Sequence, residues 1–259
     1  MFDLVIRNGT VIDGTGIPGR VADVAVSEGR IVAVGEVTEQ GENEIDASGL
    51  IVAPGFVDVH THFDAQVFWD TTLSPSPLHG VTTVISGNCG FTIAPLEAEH
   101  GDYMMEMLAR VEGMPLTSLQ EGVPWNWRTF GEYLDAIDGT LMPNAGFLVG
   151  HSAIRRTVMG ERSVGEFASE GELQSMKELL AESISAGGLG FSSSWAKTHN
   201  DADGEAVPSR HASENELIEL CSVLRDSDAV ALEFIPTIER FDNEVYQLLT
   251  DMSVAADKP

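Results

Sequence analysis

The chain has 259 residues, 43% of them hydrophobic, enough to bury a large core in one big or two small domains. Its 41 acidic against 14 basic residues give a formal net charge of −27, a field that repels nucleic acid and anionic membrane and excludes both as partners. The same charge opposes compaction through self-repulsion that salt screens, so a fold strengthened by added salt is expected, as in a protein from a salt-rich setting.

From the start, Leu4-Val5-Ile6, Val24-Ala25-Val26, Ile31-Val32-Ala33-Val34 and Leu50-Ile51-Val52 read as short strands. Asn8-Gly9, Asp13-Gly14 and Glu28-Gly29 are turn signals between them, the pattern of a small antiparallel sheet. Met1-Phe2 leads into Asp3 with no basic-then-apolar leader, and no apolar run reaches the roughly 18 residues that span a membrane. Two cysteines, Cys89 and Cys221, are too few for a disulfide framework. A cytoplasmic protein is expected.

After Pro54 the rhythm becomes strand, helix, strand, with strand candidates at 56–60, 81–86, 145–150, 188–192 and 229–234. Thr129-x-x-Glu132, Ser169-x-x-Glu172 and Ser213-x-x-Glu216 fit the capping box that opens a helix. Leu173, Met176, Leu180 and Ile184 keep helical spacing behind the second cap, as do Leu217, Cys221 and Leu224 behind the third. Val245, Leu248, Leu249 and Met252 suggest a further helix without a clear cap. Met104, Met105, Met107, Met114, Trp125 and Trp127 read as core packing, and Cys221 as core. The fold class is therefore α/β with a parallel sheet; about five units are visible, short of the eight that close a (β/α) barrel.

His60 and His62 end the first of these strands. Residues i and i+2 on a strand project to one side, so both imidazoles can reach one metal ion. Gly87-Asn88-Cys89-Gly90 ends the second strand, where a thiolate bonds zinc well and glycines let the backbone turn sharply. The plain alternative for Cys89 is a small buried hydrophobe. His151 ends the third strand and could meet a substrate carbonyl, supply a proton or bind metal; Arg155 and Arg156 follow it. Arg155 could grip a substrate carboxylate by two parallel bonds, or form an ion pair. The loop after the fourth strand carries Ser193, Lys197 and Arg210, with His199 and His211, and suits a substrate-binding flap. Glu233 ends the fifth strand, where it could join a metal shell or orient a ligand.

The runs Asn8-Gly9-x-Val11-x-Asp13-Gly14, Pro54-Gly55-x-x-Asp58-x-His60-x-His62, Gly87-Asn88-Cys89-Gly90 and Gly150-His151-Ser152 resemble the amidohydrolase superfamily, most of all its N-acyl-D-amino-acid deacylases (D-aminoacylases). The resemblance runs from Asp3 to at least Ser213. It implies a TIM-type (β/α) barrel over residues 55–259, incomplete here, preceded at residues 1–54 by the N-terminal part of a small β-sandwich assembled from both chain ends. It implies one or two zinc ions held by His60, His62 and Cys89, where related hydrolases use a carbamylated lysine. It implies hydrolysis of a linear amide, with His151 assisting the oxyanion and Arg155, Lys197, Ser193 or Arg210 meeting the small-molecule substrate. A homo-oligomer is compatible with it.

The fifth-strand histidine of that family has no counterpart in Ala231-Leu232-Glu233-Phe234: either Glu233 substitutes or the metal site is altered. A sixth-strand histidine and an eighth-strand aspartate base have none before Pro259. The alternatives are a cyclic-amide hydrolase of the hydantoinase type, or a non-catalytic half-barrel that needs a partner chain.

Overall fold

The computed structural model describes residues 1–258, which form two compact units divided after Phe56. The first unit is one sheet of β1 (Phe2–Val11), β2 (Arg20–Ser27), β3 (Arg30–Gly35), β4 (Gly41–Asp46) and β5 (Ile51–Val52). β1 pairs antiparallel with β2, and β2 with β3, as the turn signals predict. β4 and β5 instead run parallel to β1, so the sheet is mixed rather than antiparallel. β4 escapes sequence reading because Gly41-Glu42-Asn43-Glu44-Ile45-Asp46 holds one apolar side chain.

One face of this sheet carries a small core of Val5, Ala25 and Val37. Register puts Leu4, Ile6, Val24, Val26, Val34 and Ile45 on the other face. Val34 and Ile45 there remain 42% and 50% exposed.

The division falls within β6 (Phe56–Asp58), which is followed in the second unit by β7 (Val81–Ser86), β8 (Asn144–Phe147), β9 (Val149–Gly150), β10 (Gly190–Ser194) and β11 (Ala231–Ile235). β8 and β9 are one strand interrupted at Leu148, whose N–H donates to Ser86 O at 2.9 Å; Leu189 N–H donates to Phe147 O at 2.8 Å. The strands therefore lie side by side in chain order, and the pairs β7/β8, β9/β10 and β10/β11 run parallel. The connections hold α1 (Gly101–Val111), α2 (Leu116–Gly122), α3 (Phe130–Ile137), α4 (His151–Met159), α5 (Glu170–Ser185) and α6 (Glu214–Ser222); α7 (Asn243–Ala256) follows β11. This is an α/β arc, and the described residues do not close it into a barrel.

The helix starts obey their caps. Thr129 and Ser169 each make both halves of a capping box with Glu132 and Glu172. Asp242 caps α7, its Oδ1 accepting from Val245 N at 3.0 Å. At α6 only one half forms: Ser213 Oγ accepts from Glu216 N at 3.2 Å, but the Glu216 carboxylate is drawn elsewhere. The methionine-rich segment packs as expected, with Met104, Met107, Trp127 and Cys221 in the main core.

β10 sits two residues later than the apolar pattern of 188–192 suggests, and Ser192, Ser193 and Ser194 are all buried. Hydroxyls can occupy a strand interior when each finds a partner, and each of these does. No helix among the described residues is long and apolar enough to cross a membrane.

Candidate metal centre

β6 stops at Asp58, so the histidine pair lies just beyond the strand rather than at its end. Thr61, between the two histidines, restores the pairing: its N–H donates to Ile85 O at 3.0 Å and its Oγ1 to the same oxygen at 2.9 Å.

The cysteine turn is held from three sides. Asn88 Nδ2 donates to Thr61 O at 3.1 Å and Ile85 O at 3.0 Å, tying the turn to the histidine segment. Ser192 Oγ accepts from Gly90 N at 3.0 Å and donates to Gly87 O. Cys89 N–H donates to Glu233 Oε2 at 2.6 Å. Gly87 has φ +80° and a Cβ there would strike the Leu148 backbone. Cys89 itself takes φ +58°, a left-handed conformation that non-glycine residues adopt where the surroundings enforce it.

The result is a convergence. Cys89 Sγ lies 3.5 Å from His60 Nε2 and 3.8 Å from His62 Nε2, and the three donor atoms fall within 4.8 Å of one another. That set of two imidazoles and a thiol fits a divalent ion of borderline softness. Beside it a cavity of about 410 Å³ runs from His60 to Glu233, walled by Ile85, Leu148 and Leu232.

The electrostatics suit a cation. Burial raises the carboxyls of Asp64, Glu112 and Glu233 to about 7, against the backbone N–H groups that Asp64 and Glu233 accept. Burial, then Glu233, Glu112 and Asp64, pushes the Cys89 thiol well above the usual thiol range. Burial, then His60 and His199, lowers His62 to about 4, leaving it neutral as a ligand must be. A partly buried cluster that disfavours its own anions is reversed by a divalent ion, which stabilises thiolate and carboxylate together.

The other expected site residues lie elsewhere. His151 and Ser193 belong to the opposite face of the sheet: Ser192 and Ser194 point one way along β10 and Ser193 the other. His151 Nδ1 meets Ser193 Oγ at 2.8 Å, Nε2 meets Glu216 Oε1 at 2.8 Å, and all three side chains are buried. Arg155 does grip a carboxylate, but an internal one. Its Nη1 donates to both oxygens of Glu216 at 2.6 Å, and its Nη2 donates to Glu166 O at 2.8 Å. In the described chain His151, Ser193 and Arg155 are buried, His151 bonded to Ser193 and Glu216 and Arg155 to Glu216, rather than gathered with His60, His62 and Cys89.

Arg210 braces the loop after β10, donating to His199 O at 3.1 Å and Asn200 Oδ1 at 2.7 Å. Lys197 is 75% exposed, 3.6 Å from Glu239. Sequence reasoning gave no role to Asp64, Asn88, Glu112, Ser192 or Glu216. Asn88 lay inside the motif that drew attention to Cys89, and Glu216 inside a capping box; Glu112 carried no signal at all.

Residues 43–251 match the amidohydrolase family. A D-aminoacylase of Alcaligenes xylosoxydans xylosoxydans is 36% identical over 225 residues, covering 86% of this chain and 42% of that protein. A D-aminoacylase crystal structure superposes with a TM-score of 0.76 at 33% identity, over 100% of this chain and 50% of that one. An N-acyl-D-glutamate deacylase from Bordetella bronchiseptica, solved with zinc and a phosphonate mimic of the tetrahedral intermediate, gives 0.75 at 29% identity, over 98% of this chain and 48% of that one. The chain thus spans about half the length of the proteins it matches. With a His-x-His segment and a cysteine turn meeting at one point of an α/β arc, the chain belongs to the amidohydrolase family.

Proposed function

We propose that this chain supplies the zinc-binding part of a hydrolase that cleaves the linear amide of N-acyl-D-amino acids. The observation that carries this reading is the meeting of His60 Nε2, His62 Nε2 and Cys89 Sγ within 4.8 Å. These three residues would hold the ion, with Glu233 the carboxylate nearest the turn. Zinc in a nitrogen and sulfur donor set supplies Lewis acidity toward an amide carbonyl and acidifies water at neutral pH.

The chain's own residues do the positioning. Asn88 and Ser192 fix the cysteine turn, Thr61 fixes the histidine pair, and the wall of Ile85, Leu148 and Leu232 keeps one side of the cavity dry. Lys197 offers the substrate carboxylate an exposed cation in an otherwise acidic protein. Because the chain spans 42% of the D-aminoacylase it matches, the proton-transferring base and the rest of a closed (β/α) barrel are assigned to the longer protein. The half-exposed apolar face of the first unit is assigned to a β-sandwich completed in the same way, with residues 1–54 as its N-terminal share.

A linear rather than a cyclic amide is favoured by the fourth barrel strand. Ser192, Ser193 and Ser194 end it and no lysine stands there, so Cys89 would hold the ion where related hydrolases use a carbamylated lysine. The test is zinc content and turnover of N-acetyl-D-amino acids and hydantoins by the complete protein and its Cys89→Ser variant. The reading expects zinc in the wild type, a preference for the linear substrates and a loss of both zinc and activity in the variant. Full zinc and full activity in Cys89→Ser would overturn it.

A further inference from the structure

Glu112 sits where a carboxylate is expensive. It follows the last residue of α1, its N–H closing the helix onto Leu108 O at 2.9 Å, so its charge stands at the negative end of the helix dipole. Its side chain is only 17% exposed, which removes most of its hydration. Among the described residues no lysine or arginine pairs with it; the one ionisable partner is His62, whose Nδ1 lies 3.5 Å from Glu112 Oε1. That Nδ1 is buried and has no hydrogen-bond partner. Two unsatisfied groups thus face each other across a gap a few tenths of an ångström longer than a formed N–H···O bond, which a small ring rotation closes.

Relying on the metal reading above, we infer that Glu112 is the positioning residue for His62: it accepts the Nδ1–H and so presents the Nε2 lone pair to the ion shared with Cys89. The other side of the ring agrees, since His62 Nε2 is the nitrogen that faces Cys89 Sγ at 3.8 Å. Carboxylates behind metal-binding imidazoles fix tautomer and ring orientation and raise ligand basicity. Residue 112 lies in the α-helical insertion between β7 and β8, far in sequence from His62. That insertion therefore acts as part of the metal centre and not only as cover for the core.

Zinc affinity of the full chain, measured by competition with a chromophoric chelator, would be compared among wild type, Glu112→Gln and Glu112→Ala. The His62 tautomer would be read from ring ¹H–¹⁵N correlations. Glu112→Ala is expected to weaken zinc about 10- to 100-fold and to release His62 from the Nδ1–H tautomer. Glu112→Gln is isosteric and keeps an acceptor without the charge, so it falls between the two and separates positioning from folding. Wild-type affinity and an unchanged tautomer in both variants would overturn the assignment. A wild-type chain that took up no zinc would sink the metal reading instead. The tautomer, which needs no metal to be observed, would still decide whether Glu112 holds the ring.

Discussion

Arg155 Nη1 lies 2.6 Å from each carboxylate oxygen of Glu216, and both side chains are shut away from solvent. The pair joins α4 to α6, and His151 adds a third member at 2.8 Å from the same carboxylate. Removing one partner strands the other charge without hydration. Arg155→Ala or Glu216→Gln is expected to cost ~3–5 kcal/mol in urea unfolding. Replacing both, as Arg155→Met with Glu216→Leu, should cost far less. What remains is the lost acceptor of His151, ~1–3 kcal/mol. A double variant no more stable than either single one would contradict this account.

The same network makes stability fall in acid. Burial alone would raise the Glu216 carboxyl, but the bonds and charges of His151 and Arg155 outweigh it and hold the group below its ordinary range. Its contribution is present above the unfolded value of ~4.3 and is lost as pH drops through the lower folded value. Burial lowers His151, against the pull of Glu216, so the folded chain keeps a neutral ring where the unfolded chain takes a proton below ~6.5. Both groups therefore favour the folded state more as pH rises. Unfolding free energy at pH 5.5 and 7.5 should differ more in the wild type than in His151→Gln. An equal difference in the two proteins would show that His151 is not the group responsible.

How much of this was readable in the sequence follows from the range of the signals. His60, His62 and Cys89 carry rare chemistry in short motifs with glycine punctuation, and the structure brings all three together. Capping boxes and helical spacing are local too, and α3 and α5 start where they predict. The role of Arg155 was not local. Its pairing with a carboxylate was legible, but that one nitrogen would serve both oxygens of a carboxylate on α6 depends on a partner 61 residues away. The partners of His151 were hidden for a related reason, since its position after β9 puts it near the rim while its ring meets Ser193 and Glu216, 42 and 65 residues away. Ser193 and Ser194 read as the start of a polar loop, because hydroxyls count as strand interior only once their partners are known.

Gly87 tests how tightly the cysteine turn is built. Its φ of +80° costs any other residue ~1–2 kcal/mol, and a Cβ would also meet the Leu148 amide nitrogen at 2.9 Å and its carbonyl closer still. Gly139 has a similar φ of +69° with open space around it. Gly139→Ala should therefore cost only the backbone amount, while Gly87→Ala should cost more and weaken zinc binding by displacing Cys89. Thermal or urea unfolding of the two variants, with chelator competition for zinc, separates the effects. Equal costs and equal zinc affinity would mean that the turn yields without consequence.

With 41 acidic and 14 basic residues, the net repulsion should respond to screening more than the ion pairs do. Surface pairs such as Arg128 with Glu97 at 2.6 Å or Arg162 with Glu166 at 2.8 Å contribute ~0–1 kcal/mol each and weaken in salt. They are few against the surplus of like charge, so relief of repulsion wins. The thermal midpoint is expected to rise with potassium chloride. Most of the gain should fall below about 0.5 M, because the screening length shrinks from ~10 Å at 0.1 M to ~3 Å at 1 M. An excluded-solute effect would instead keep growing with concentration and would be larger in sulfate than in chloride. A midpoint that stayed flat or fell between 0.05 and 0.5 M, roughly the range over which the Debye length changes most, would mean that the acidic surface is not what limits this fold.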